Sequence, residues 1–146
     1  MGNLSEHFNK KEFECPCCKK VKIDLKLIDK LEIVRQAIGN LPIEIVSGYR
    51  CKKYNQSIGG YADSPHLYGL AADTKCGLRI VDYTLAADLV TGIRLGLYPN
   101  HLHIDIIDPW PSKYWVVMKY GSMPIYSKYE YDLKIFLKGV MGDAFN

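Results

Sequence analysis

The stretch Asn100-His101-Leu102-His103-Ile104-Asp105-Ile106 constrains the fold more tightly than any other part of the chain. Side chains alternate across a strand. Read as a strand, the segment turns Leu102, Ile104 and Ile106 to one face and His101, His103 and Asp105 to the other. The apolar row needs a core beneath it. The polar row is left on the opposite face, where it either meets solvent or lines a site. The chain must therefore build a sheet covered on one side.

The rest of the chain supplies elements for that sheet and its cover. Leu27, Ile28, Leu31, Val34, Arg35 and Ile38 recur at helical spacing, and Gly39-Asn40 followed by Pro42 stops the run, which predicts a helix over 24–38. IEIVSGYR reads as a strand ending at Gly48, CKKYNQSIGG as a short helix closed by Gly59-Gly60, YADSPH as a loop and LAADTK as a strand. GLRIVDYTLAADLVTGIRLG has helical periodicity and ends in Gly96. LGLYP and HLHIDIID read as strands, YWVVMKYGSMPIYS as a hairpin turning near Gly121-Ser122, and YDLKIFLKGV as either a strand or a short helix. Near the N-terminus, Ser5 is expected to cap a turn anchored by Phe8 and Phe13, with His7 exposed. The irregular mixture favours an α+β fold with a mainly antiparallel sheet over a doubly wound α/β fold. A length of 146 residues suits a single domain over 1–146, and no repeat or linker divides it.

Charge and cysteine content narrow the function classes. A net charge of +3, with the basic residues dispersed, is not the stripe of a nucleic-acid binder. No apolar run spans a membrane, and no secretory signal is visible, so synthesis in the cytoplasm is expected. The cysteines at 15, 17, 18, 51 and 76 are odd in number, which argues against a complete disulfide framework. Cys15-Pro16-Cys17-Cys18 suggests a zinc knuckle, yet no second C-x-x-C pair or spaced His pair completes it. Reduced cysteines at a packed turn are the expectation, with a small cluster of Cys15 or Cys18 with Cys51 left open.

A polar row on a sheet face needs no ligand by itself. It gains meaning beside Ser64-Pro65-His66-Leu67-Tyr68-Gly69-Leu70-Ala71-Ala72-Asp73. A catalytic zinc site takes three protein ligands from His and carboxylate. His66 from a loop, Asp73 from a strand start and one His of the His101-Leu102-His103 segment would supply such a set. Gly69 and Ala71 allow the backbone to approach closely.

These residues resemble the M15 zinc peptidases, the D-alanyl-D-alanine carboxypeptidases and murein endopeptidases. Ser64, His66, Gly69, Ala71 and Asp73 fit the S-x-H-x-x-G-x-A-x-D signature at every fixed position. SGYRCKKYNQSIGG, with Arg50, Asn55, Gly59 and Gly60, resembles a second family segment, LSEHFNKKEFEC resembles the lead-in of a compact single-domain branch, and HIDI resembles the closing H-x-D strand. The resemblance covers roughly residues 4–107; the role of the C-terminal extension, 108–146, is left open. It implies a Hedgehog/DD-peptidase-like fold with helices packed on one side of the sheet. It implies one Zn²⁺ ion held by His66, Asp73 and His103, with Arg50 binding a substrate carboxylate or the oxyanion and Ser64 hydrogen-bonding nearby. Many family members carry an acid three positions before the last ligand, as general base. Here that position is Asn100, so His101 and Asp105 become the candidates for proton transfer, Asp105 alternatively orienting His103.

The function implied is hydrolysis of peptidoglycan stem peptides by zinc-activated water without a covalent intermediate. The enzyme would act at the bacterial cell wall as a bacteriophage endolysin or a virion-associated hydrolase, released by lysis or carried in the particle, with virion or lysis partners. The alternative is a non-catalytic zinc-binding structural or virion module, for which Asn100 is the main support. The bond cut and the oligomeric state are not legible in the residues.

Overall fold

The computed structural model describes residues 2–107, 112–128 and 132–146. Asp108, the last residue of the expected HLHIDIID strand, and Tyr131, the first of the tail segment, lie outside them. Among these residues, six strands form one sheet. They are β1 (Glu44–Ser47), β2 (Ala71–Lys75), β3 (Arg94–Leu97), β4 (Leu102–Asp105), β5 (Tyr114–Val116) and β6 (Ile125–Tyr126), in the spatial order β1-β2-β4-β3-β5-β6. β3 and β5 run parallel, and the other neighbours pair antiparallel. Four α-helices among the described residues accompany the sheet: α1 (Leu25–Ala37), α2 (Lys52–Ser57), α3 (Ile80–Ala87) and α4 (Leu133–Met141).

The core follows from the alternation along β2 and β4. Ala72 on β2 and Leu102 and Ile104 on β4 join one apolar cluster with Leu27, Ile28, Leu31 and Val34 of α1, Val81, Tyr83 and Ala87 of α3, and Leu133, Phe136 and Leu137 of α4. Tyr83 is fully buried and needs a partner for its hydroxyl. It meets Thr74 Oγ1 at 2.6 Å, and Thr74 in turn donates to the Leu102 carbonyl at 3.0 Å, fastening α3 to β2 and β4. The other face of β2 and β4 carries Asp73, His103 and Asp105. Helix α2 lies outside the apolar cluster and belongs to this polar side, where its Asn55 holds Arg50.

Three sequence expectations are corrected. The helical period read over 77–96 is a helix only as far as Ala87. Gly92 then turns at φ +78°, and Arg94–Leu97 becomes β3. Val90 and Ile93 kept the apolar spacing while packing as a turn. The Ser5 hydroxyl, expected to cap a turn, donates instead to Glu32 of α1, and Asn9 is the N-cap of the 3₁₀ turn Lys10–Phe13. His7 is not simply exposed, because its Nδ1 lies 2.6 Å from Glu32 Oε1 and its backbone N–H donates to Oε2 at 2.9 Å. The tail, left open between strand and helix, is α4. Leu133, Phe136 and Leu137 fall at i, i+3, i+4, and the Asp132 side chain caps the helix by accepting from the Ile135 N–H at 3.0 Å.

Gly69 fixes where the loop carrying His66 ends. It stands at φ +72° after the 3₁₀ turn Pro65–Tyr68, and a Cβ there would lie 2.5 Å from the Lys22 carbonyl oxygen. Gly39, at φ +76°, has nothing within 4 Å of such a Cβ. Gly39→Ala is therefore expected to cost only the left-handed penalty, about 1–2 kcal/mol. Gly69→Ala should cost that plus a clash. Urea unfolding of both variants checks this, and equal losses would show that the Lys22 contact is slack.

Candidate metal centre

His66 sits in the 3₁₀ turn Pro65–Tyr68, whose start Ser64 holds by accepting the His66 N–H at 3.3 Å. The ring is 2% exposed. Its Nδ1–H donates to the Gly48 carbonyl at 2.7 Å, which fixes the tautomer and leaves Nε2 free to face the site. Asp73 and His103 are brought together by register: they are directly opposed residues of the antiparallel pair β2–β4. Asp73 Oδ1 lies 3.2 Å from His66 Nε2 and 3.1 Å from His103 Nδ1. On its far side, His103 Nε2 donates to Asp105 Oδ2 at 2.8 Å.

The electrostatics favour a cation here. Burial alone would raise the Asp73 carboxyl, but the His66 and His103 imidazoles beside it hold it well below the ordinary range. Burial likewise opposes charge on His103, yet its bonds to Asp105 and Asp73 push it up to about 9. One donor atom from each of His66, Asp73 and His103 lies within 4.8 Å of the other two. Tetrahedral N and O ligands at about 2.0–2.1 Å from a zinc ion stand about 3.3 Å apart. The 3.1 and 3.2 Å separations are close to that spacing, and two imidazoles with a carboxylate form a donor set of the kind catalytic zinc uses, so the residues fit the ion.

The other sequence-predicted residues surround this group in distinct ways. Arg50 is tied down rather than free. Its Nη2 donates to Asp73 Oδ2 at 2.8 Å, Nε to Ser47 Oγ at 3.0 Å and Nη1 to Asn55 Oδ1 at 3.3 Å. Gly60 packs so closely on Asn55 that a Cβ there would fall 2.0 Å from Oδ1, a physical account of the Asn55, Gly59, Gly60 spacing. His101 precedes β4 at the cleft edge. Its Nε2 lies 3.7 Å from Asp73 Oδ1, its Nδ1 hydrogen-bonds Tyr120 Oη at 2.8 Å, and its ring stacks on Tyr98 at 4.3 Å. Asp105 is fully buried, with both oxygens occupied: Arg94 donates to Oδ1 and Oδ2 at 2.9 Å each, and the Ile107 N–H adds a bond to Oδ1 at 3.1 Å. Asn100 contributes its backbone N–H to Tyr120 Oη at 3.3 Å.

Arg94, Trp115 and Tyr120 were not among the residues singled out from the sequence. Arg94 was hidden in the overextended helix. Trp115 packs its indole on His103, with ring centroids 5.0 Å apart, and fills the space that Gly96 leaves on β3. A Cβ on Gly96 would fall 2.4 Å from that indole. The isolated glycine between Leu95 and Leu97 was the available signal, since glycine inside a strand often marks a close approach.

Known proteins are similar to this chain in sequence. A 48-residue segment is 42% identical to the zinc D-Ala-D-Ala carboxypeptidase of Streptomyces albus G, covering 33% of this chain and 19% of that protein, so the matched part is about a fifth of that relative's length. The family model described as Peptidase M15 matches residues 6–105, which takes in the 3₁₀ turn with His66, strands β2 and β4, and the Arg50 loop. The chain belongs to the peptidase M15 family.

Proposed function

We propose that this chain is a zinc peptidase that hydrolyses peptidoglycan stem peptides, as a D-Ala-D-Ala carboxypeptidase or a murein endopeptidase. The convergence of His66, Asp73 and His103 in a cleft that Arg50 and His101 also line carries the reading. The name of the Streptomyces albus G relative supports the substrate class. In fold terms the reading is a Hedgehog/DD-peptidase-like domain, supported by the antiparallel β2–β4 pair bearing two of the ligands.

His66, Asp73 and His103 would hold the ion. Zinc, when bound, supplies Lewis acidity that polarises the scissile carbonyl and makes water nucleophilic near neutral pH. The protein's own residues do the rest. Arg50 fixes Asp73. A guanidinium has five N–H donors, and three are committed to Asp73, Ser47 and Asn55, so two stay available for a substrate carboxylate or the developing oxyanion. His101 offers Nε2 to the cleft while Tyr120 and the Tyr98 ring hold the imidazole in place, which suits it to accept and return a proton. Asp105, sealed behind His103, orients that ring. Ser64 steadies the loop that carries His66.

Purified murein incubated with the zinc-loaded protein should gain new amino and carboxyl termini, and a chelator should suppress them. Identifying the termini distinguishes carboxypeptidase from endopeptidase cleavage. No release with zinc present would replace this reading by the non-catalytic zinc-binding module, the alternative that Asn100 favours.

A further inference from the structure

The catalytic reading leaves the cysteine turn unused. Cys15-Pro16-Cys17-Cys18 has C-x-x-C spacing between its outer members. The chain reverses at Lys19, at φ +62°; the Lys19 N–H donates to the Cys15 carbonyl at 2.9 Å and the Cys15 N–H to the Lys20 carbonyl at 2.8 Å. Cys51 arrives from far along the chain. It is the residue after Arg50 and the N-cap of α2, and the Tyr49 N–H anchors its loop to the Phe13 carbonyl at 2.9 Å.

The thiols of Cys15, Cys18 and Cys51 are free, and their sulfurs all lie within 4.8 Å of one another, with Cys15 and Cys51 at 3.6 Å. Sulfurs bound tetrahedrally at about 2.3 Å from zinc stand about 3.8 Å apart. Backbone donors are aimed at these sulfurs. The Cys51 N–H donates to Cys15 Sγ at 3.5 Å, and the Tyr54 N–H reaches Cys51 Sγ at 3.4 Å. Such donors favour thiolate, the form that binds metal. Cys17, between Cys15 and Cys18 in sequence, is exposed.

We propose that Cys15, Cys18 and Cys51 bind a structural zinc ion at a second site separate from His66, Asp73 and His103. The sequence discouraged this site because the completing ligand is not a second C-x-x-C pair. It is a single cysteine that folding brings back to the turn. Soft thiolates select zinc over magnesium or calcium. The ion would tie the N-terminal segment to the loop that carries Arg50, one residue from a ligand.

Cobalt substitution of the reduced, full-length protein tests this without reference to activity. Thiolate ligation gives an intense sulfur-to-cobalt charge-transfer band, which a site of two histidines and an aspartate cannot produce. The band should be present in the wild type and persist in His66→Ala. Zinc analysis should find two equivalents in the wild type and one in either His66→Ala or Cys18→Ser. Cys18→His, which restores a ligand, should retain the second equivalent with a weaker band, and so guards against misfolding of the serine variant. Absence of the band in reduced, cobalt-loaded wild type overturns the proposal. So does a native Cys15–Cys51 disulfide with a single zinc equivalent that His66→Ala removes.

Discussion

His66→Ala is expected to remove zinc from the His66–Asp73–His103 site and to take murein hydrolysis below detection. The side chain is buried, and its Nε2 is the donor that comes from outside the sheet; Asp73 and His103 sit across one register position of β2 and β4. Removing it leaves the ion two ligands on neighbouring strands and opens one side of the site. Loss of a residue that only orients a ligand typically costs about 10–100-fold in metal affinity. Loss of a ligand itself should exceed that, so affinity should fall by more than ~100-fold. The Gly48 carbonyl also loses its 2.7 Å donor, a local stability cost of about 1–3 kcal/mol that circular dichroism and thermal unfolding would register separately. Zinc content alone is ambiguous if the cysteine site is filled, so the measurement belongs in a Cys18→Ser background as well as in the wild type. Unchanged zinc and unchanged hydrolysis in His66→Ala would refute the assignment of this ligand.

The candidate ligands were legible because their signals are local. The small residues between His66 and Asp73, and the alternation from His101 to Ile106, each state which way a side chain must face. Helix α1 was legible for the same reason: Asp24 caps it by accepting from the Lys26 N–H, and its apolar stripe ends where Gly39 takes a positive φ. What stayed hidden depends on partners distant in sequence. Arg94 and Gly96 followed an apolar period that a helix and a turn-plus-strand can both satisfy, and the choice was made by β4 and β5 pairing on either side of β3. His7 looked like a polar surface residue because Glu32, its partner, sits on α1. Trp115 counted as one more aromatic in a rich tail, and only its contacts with His103 and Gly96 make it part of the cleft.

The sharpest separation of roles is expected between His101 and Asp105, the two groups proposed for proton transfer because Asn100 is not an acid. They share a polar face in the sequence, but their surroundings differ. His101 lines the cleft, with Nδ1 held by Tyr120 and Nε2 turned toward the site. Asp105 has no exposed surface, and its oxygens are filled by His103, Arg94 and the Ile107 N–H. A carboxylate so enclosed cannot reach a substrate or a water in the cleft without breaking a bidentate ion pair. Its effect must pass through the orientation of His103. His101→Ala should therefore keep its zinc and lose roughly 10²–10⁴-fold in rate under saturating metal, the loss typical of a proton-transfer group. Asp105→Asn should instead weaken zinc binding by about 10–100-fold and recover much of its rate when zinc is raised. It should also unfold more easily, because Arg94 is left mostly buried without its counter-charge, a defect that commonly costs about 3–5 kcal/mol. Zinc titrations followed by murein hydrolysis at saturation, run on both variants, separate the two. Should Asp105→Asn hold zinc as tightly as the wild type while losing its rate at every metal concentration, the roles are reversed, and the buried carboxylate must gain access to the cleft during turnover.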